Sequence, residues 1–417
     1  MSNTQKKNVP ELRFPEFEGE WEEKQLEDIG TLKNGINKDK ESFGYGFPFV
    51  NLNDVFNSKE IQIKNLSLIN STYKEREEYN LQKGDTLFIR SSVKPSGVGL
   101  TKVIEIDLKN VVFSGFLIRF RNNNLAVNFK KFIFNSISVR KQILSLSSTS
   151  ANTNINQESL KKVKIHIPCM DEQQKIGRFF SELDRQIELE EQKLELLQQQ
   201  KKGYMQKIFS QELRFKDENG NDYPEWEGKK IEDLMEVTSV KRIHQSDWQS
   251  SGVPFLRARD IVAYNKGEDI KEPLFISYDK YNEYSSISGK VENGDLLVTG
   301  VGTIGVPFLI KDNTPLYFKD GNIIWLKNRG SLDEYFLFYS FINANIQSYI
   351  KKVAGVGTVG TYTIANAKKT PIFEPIKLEQ LKIGGFFNKI DNLIKLQVHK
   401  VEIIKQRKQG LLQKIFM

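Results

Sequence analysis

Two glycine-rich stretches are the first candidates for chemistry. Gly300-Val-Gly302-Thr-Ile-Gly305 follows the strand-like run "GDLLVTG", and Asp320 stands 20 residues beyond Gly300. That spacing imitates a dinucleotide fingerprint, in which glycines let the backbone approach a pyrophosphate and an acidic residue takes the ribose. The fingerprint needs a helix directly after the glycines, so that its N-terminal amides meet the phosphates. Here the chain continues "VPFLI", with Pro307 and β-formers, so a strand is expected instead. Gly355-Val-Gly357-Thr-Val-Gly360 runs into "TYTI", which also reads as extended and not as a helix opening. Asp85, Asp107 and Lys109 could compose a nuclease centre of two carboxylates and a lysine. At the matching place in the second half, however, Tyr317 stands where Asp107 should have its counterpart. His166, His244 and His399 lie far apart. His166 with Cys169 makes only a pair, where a metal site needs three or four ligands. A Gly-Lys-Ser/Thr phosphate loop and an Asn/Asp-Pro-Pro-aromatic motif are both absent from the sequence. No catalytic residue, no metal site and no cofactor in this chain are therefore expected.

What remains is recognition. The net charge of +8 suits a polyanionic partner. Arg90, Ser91, Ser92 and Lys94 follow one Gly-Asp strand, and the polar loop "SSTSANTNIN" (147–156) adds Thr149 and Asn152. The second half offers Lys241 and Arg242, Arg257 and Arg259 around "LRARD", and Thr358 and Tyr362 in "GVGTVGTYT" (355–363). Arginine can read guanine and asparagine adenine in the major groove, while lysines and loop amides hold phosphates. As a set spread over both halves, these residues point to nucleic acid. No run of about 18 apolar residues suggests a membrane span. The start "MSNTQKKNVP" lacks a signal-peptide core, and a single cysteine, Cys169, excludes an internal disulfide framework. A cytoplasmic protein is expected.

The elements that must position these residues come in duplicate. "DEQQKIGRFFSELDRQI" (171–187) reappears as "LEQLKIGGFFNKIDNLI" (378–394). A shift of 207 pairs Pro168 with Pro375 and gives 20 identities over the 42 positions from 168 to 209. Upstream, "PEFEG" echoes "PEWEG", "FPFVNLNDV" echoes "VPFLRARDI", and Gly84-Asp85 echoes Gly294-Asp295. Each half is thus a divergent globular segment followed by a repeated one. The globular segments read as mixed α+β. "GDTLFIR", "VVFSGFLIRF" and "NIIWLKN" read as strands, while "FKKFIFNSISVRKQILS" and "DEYFLFYSFINANIQSYIKK" read as helices.

The repeated segments read as long helices with a heptad seam. In the first copy Leu183, Ile187, Glu190, Leu194, Leu197, Lys201, Tyr204 and Ile208 step by four and three. In the second the steps fall on Ile390, Ile394, Gln397, Val401, Ile404, Lys408, Leu411 and Ile415. The simplest partner for one stripe is the other. An antiparallel coiled-coil pair would place unlike globular segments at opposite ends, related by a pseudo-two-fold repeat. The two polar positions in each seam could fix register or could be solvated. The expected division is an N-terminal arm (1–19), a first globular domain (20–168), a repeated helix (169–210), a linker with the second domain (211–375) and the second repeated helix (376–417).

This arrangement, with the "EQ..KI..FF...D..I" opening, the "LRFPEFEGEW" start, its echo "RFKDENGNDYPEWEG" and the "LLQKIF" ending, resembles the specificity subunit of type I restriction-modification enzymes. The resemblance covers essentially the whole chain. It implies that the globular segments are target recognition domains, each binding one half of a split double-stranded DNA sequence. It also implies that the helices dock two methyltransferase subunits carrying S-adenosylmethionine. Two restriction/translocase subunits would bring ATP and Mg. It supplies no fixed set of base-contacting residues. The rival readings are a nucleotide- or metal-dependent DNA-processing enzyme and a coiled-coil adaptor that never touches DNA.

Overall fold

A computed structural model describes residues 8–56, 61–149, 152–355 and 360–416. The chain divides into two compact units, residues 1–191 with 399–417, and residues 192–398. Each long helix therefore begins in one unit and ends in the other.

Within the first unit, strand Glu22–Gln25 pairs antiparallel with Lys164–Ile167 and closes the domain beside the helix start. A four-stranded sheet runs in the order Thr31–Asn34, Leu117–Arg121, Thr86–Ile89, Thr101–Val103. A second, three-stranded sheet centres on Phe43–Val50, which is antiparallel to Ser67–Ile69 and parallel to Val112–Phe113. The second unit repeats the plan. Glu227–Lys230 pairs with Pro371–Glu374, and the four-stranded order is Glu236–Thr238, Ile323–Lys327, Leu296–Thr299, Pro307–Leu309. Val253–Leu256 again takes one antiparallel and one parallel neighbour. Divergent sequences keep this topology because alternate positions fill equivalent cores, from Phe88, Ile118 and Phe120 in one unit to Leu296, Val298 and Ile324 in the other.

The strand readings hold, with one refinement: "VVFSGFLIRF" is two strands parted by a turn at Ser114-Gly115-Phe116. The helical readings each resolve into two helices, capped anew by Ser136 and Asn343. "TYTI" departs from expectation. Thr363 accepts a hydrogen bond from the Asn366 amide and opens a short helix, Ile364–Lys368.

The repeated segments are helices Met170–Phe209 and Lys377–Ile415. At 1.5 Å per residue, the first extends roughly 60 Å. They run antiparallel. In the first unit Lys408 pairs with Asp184 and Lys400 with Glu190 at 2.5 Å; in the second Lys201 pairs with Asp391 at 2.5 Å. Leu183, Ile187, Leu194 and Leu197 are half-buried and Ile208 buried. In the second helix Ile390, Ile394, Ile404 and Leu411 are half-buried, and Val401 and Ile415 buried. Tyr204 is the exception; it stays exposed and packs edge-on against Phe386. Glu190, Lys201 and Lys408 are cross-helix partners and not solvated ends, and Gln397 is buried. The Lys201–Asp391 and Lys408–Asp184 pairs are related by the same 207-residue shift.

Each conserved letter of the repeated opening has a physical task. Glu172 and Glu379 are fully buried and accept from Arg13 and Arg214. Gln173 and Gln380 each bridge two backbone groups, accepting from the amides of Ala126 and Asp333 and donating to the carbonyls of Pro168 and Pro375. Gly177 and Gly384 permit close approach. A Cβ at Gly177 would lie 2.8 Å from Asn128 Cβ, and one at Gly384 would lie 2.9 Å from the Phe336 amide. Phe180 and Phe387 enter the cores, where the end of the opposite helix meets them. Phe416 stacks on Phe180 in the first unit, as Phe209 does on Phe387 in the second. Each domain thus grips the start of one helix and the end of the other, and that alone requires the antiparallel direction.

Candidate nucleic-acid interface

Strand Ser91–Ser92 pairs with Thr153–Asn154, which in turn pairs with Ser148–Thr149. This three-stranded ribbon brings together residues some 60 positions apart, because the Ile155 amide donates to the Arg90 carbonyl at its base. A cleft of about 440 Å³ opens beside the ribbon, lined by Ser91, Ser92, Lys94 and Asn152 together with Phe56, Val93 and Phe116. Four of the residues expected to bind DNA therefore share one cavity, and Thr149 joins the same ribbon by its backbone. Arg90 sits half-buried at the ribbon's base, its Nη1 donating to the Gly115 carbonyl at 3.4 Å.

Phe116 and Val93 were not anticipated. Phe116 lies on the turn between two strands, with its carbonyl accepting from the Arg90 amide at 2.8 Å. It is 60% exposed, and Val93 81%. Gly97 allows the cleft floor to form; a Cβ there would meet Ser92 Oγ at 2.4 Å and Phe56 Cζ at 3.2 Å.

The second domain distributes its candidates differently. Lys241 and Arg242 are exposed, and Lys241 lies over the Tyr284 ring at 4.6 Å, with Lys280 over the same ring at 4.7 Å. Arg259 is exposed and reaches Glu272 at 3.3 Å. Arg257 corrects the sequence reading. Its Nε and Nη2 donate to Asp260 at 2.7 and 2.9 Å and Nη2 also donates to the Glu272 carbonyl, so the guanidinium fork is held by the carboxylate in the first turn of its own helix, which also accepts from the Arg257 backbone amide. Tyr362 is a second correction. It is buried, its hydroxyl lies 2.5 Å from Thr370 Oγ1, and burial raises its pKa. Thr358 lies outside the described residues.

The enzyme candidates dissolve into structure. Gly300–Gly305 is a tight turn joining antiparallel strands, with the Gly305 amide donating to the Thr299 carbonyl at 2.7 Å. Asp85 is buried, receives Arg121 through two bonds of 2.8 and 2.7 Å and accepts from the Gln82 amide. Its repeat partner Asp295 accepts from Trp325 Nε1 and the Asn328 amide, with burial raising its pKa. Both carboxylates bind the Gly-Asp turns to the sheets. Asp107 accepts from the Lys83 amide at 3.3 Å. Among the described residues no three His, Cys, Asp or Glu gather as metal ligands, and no helix is long and apolar enough to cross a membrane.

The comparisons agree with this architecture. The family model for the type I restriction modification DNA specificity domain matches twice, at residues 18–199 and 223–406. The type I restriction enzyme MjaVIII specificity subunit of Methanocaldococcus jannaschii is 24% identical, covering 97% of this chain and 93% of the relative. A putative specificity subunit of Haemophilus influenzae is 30% identical over 39% of each chain. The S subunit of a type I system from M. genitalium superposes with a TM-score of 0.57 at 14% identity, over 98% of this chain and 99% of that one. A chain of another type I system gives 0.58 at 14% identity, over 95% of this chain and 97% of its own length. With two matched DNA specificity domains and a repeated α+β plan joined by antiparallel helices, this chain belongs to the specificity subunits of type I restriction-modification systems, the non-catalytic members of those enzymes.

Proposed function

We propose that the domains within residues 20–168 and 211–375 each read one half of a bipartite, asymmetric double-stranded DNA target. One observation carries this reading: the two domains share topology and strand register yet carry unlike residues at the same structural place. Where the first has Arg90-Ser-Ser-Val-Lys94 after its central strand, the second has Gly300-Val-Gly-Thr-Ile-Gly305. One scaffold with two different reading edges suits two different half-sites.

The helices would also carry the partners. Leu189 and Ile403 are exposed apolar residues that the Lys408–Asp184 register brings level in the first unit; Leu196 and Leu396 are their repeat equivalents in the second. Two equivalent patches favour two copies of one partner, the methyltransferase subunits that supply S-adenosylmethionine and modify adenine. Two restriction/translocase subunits would bring ATP and Mg, and the assembly would work in the cytoplasm. Replacing residues 20–168 with the corresponding domain of another specificity subunit tests the reading. The expected outcome is a methylation pattern changed in one half of the target only; a change in both halves, or in neither, refutes it.

A further inference from the structure

The first domain's cleft allows its base preference to be named, resting on the DNA-reading role proposed above. We propose that this cleft reads A·T pairs through the thymine 5-methyl group, with Val93 and Phe116 as the apolar contacts and Asn152 and Lys94 on the rim.

Three observations lead there. The first is the concentration of exposed apolar surface. Isolated exposed hydrophobics are ordinary, but Val93 at 81%, Phe116 at 60% and Phe56 at 45% all line one cavity. Phe116 is held outward by the backbone, since its carbonyl accepts from Arg90, its amide donates to Ser114 Oγ at 3.3 Å, and the Leu117 amide closes the turn on the Ser114 carbonyl. The second is charge. Among the described residues lining the cavity, Lys94 is the one ionisable side chain and none is a carboxylate, so a polyanion is admitted. The third is the state of the nearby arginine. Guanine is read chiefly by an arginine fork presented to its O6 and N7. Arg90 instead lies half-buried beneath the ribbon with Nη1 turned to Gly115. An apolar floor with an asparagine at its rim and no presented arginine matches the major-groove edge of A·T. There the thymine methyl offers an apolar contact and adenine N6/N7 can engage an amide. Lys94 then has the adjoining phosphate within its role. A protein segment is the competing occupant; a lysine and no carboxylate among the described lining residues favour DNA over it.

The test uses the intact complex with its methyltransferase subunits and duplexes bearing the mapped target. Each thymine of the first half-site is replaced in turn by deoxyuridine, which removes only the methyl group. The expected result is a loss of affinity of about fourfold at one or more positions, what a single buried methyl is worth. Val93→Ser and Phe116→Ala should each weaken binding to the thymine duplex and abolish the thymine/deoxyuridine difference. They should leave untouched any difference measured in the second half-site. Val93 is exposed enough for its replacement to leave folding intact, and wild-type binding at the second half-site confirms that in the same experiment. Equal binding of every deoxyuridine duplex, or a variant that keeps the wild-type thymine/deoxyuridine ratio, overturns the proposal. So does a Phe116→Ala complex with unchanged DNA affinity that no longer retains its methyltransferase subunits, which would make the cleft a protein dock. Sequence-specific binding that persists through those outcomes leaves the DNA-reading role standing; absence of any specific binding by the wild-type complex removes both.

Discussion

Replacing Arg214 with methionine isolates the contact that seats the second domain on its helix. Glu379 is fully buried and accepts from Arg214 Nη2 at 2.7 Å, Arg214 Nε at 3.2 Å and Trp226 Nε1 at 3.0 Å. Arg214 also donates to the Pro224 carbonyl at 2.6 Å, tying down the incoming linker. The substitution keeps the apolar stem but leaves a buried carboxylate with the indole alone. Removing one partner of a buried ion pair costs about 3–5 kcal/mol, a large share of the roughly 5–15 kcal/mol that holds a domain folded. Urea unfolding followed by tryptophan fluorescence should report that loss. Adding Glu379→Gln removes the orphaned charge while retaining an oxygen for Trp226, so the double variant should recover at least about 2 kcal/mol. A single variant that loses under about 1 kcal/mol, or a double variant no more stable than the single, would refute the assignment of Glu379 as the buried anchor.

Other perturbations follow from the same geometry. Gly177→Ala and Gly384→Ala should each cost about 1–3 kcal/mol through overpacking. By contrast, Gly203→Ala and Gly410→Ala, whose Cβ would meet nothing within 4 Å, should gain roughly 0.5–1 kcal/mol in helix propensity; calorimetry distinguishes the pairs. Lys130 is buried, donates to the carbonyls of Gly84 and Asn122, and is pushed down to about 8 by burial. A base whose folded pKa is depressed binds fewer protons folded than unfolded, so its contribution to stability grows as pH rises through 8 toward its unfolded value. Relative to Lys130→Met, the wild type should therefore gain up to about 1.3 kcal/mol between pH 7 and 9 in chemical unfolding; a constant difference would contradict this. The Leu12 amide donates to the Lys414 carbonyl at 3.0 Å as the Leu213 amide does to Lys207 at 3.1 Å. A chain with Phe416 joined to Leu12 through three residues and opened at Gln211 should accordingly keep its fold and DNA recognition, as circular dichroism and binding would show.

Much of the scaffold was legible because it depends on periodicity. The four-three spacing of Leu183 through Ile208 can be satisfied only by a facing stripe, and the 207-residue shift supplies one. The polar seam residues were ambiguous because their partners are set by register. Only the antiparallel pairing reveals that Lys201 meets Asp391, the repeat of Asp184. The binding residues were harder, since a side chain's type does not disclose where it points. Arg257 was misread although Asp260, three residues on, could have signalled a helix cap. Tyr362 looked like part of a polar loop, yet the same shift aligns it with Ile155, a buried apolar position, and both amides close the base of the reading edge. Phe116 was hidden inside what read as continuous strand. Only the Ser-Gly before it hinted at a turn, and its outward direction follows from hydrogen bonds made by Arg90, 26 residues away.

Sequencing the methylated adenines in a host that carries this chain with its partner subunits tests the central claim most directly. Two unlike readers on one antiparallel helix pair predict a single interrupted motif with two different halves, an adenine modified in each, and loss of that motif when the gene for this chain is deleted. A contiguous or palindromic motif, or a methylation pattern indifferent to the deletion, would contradict it.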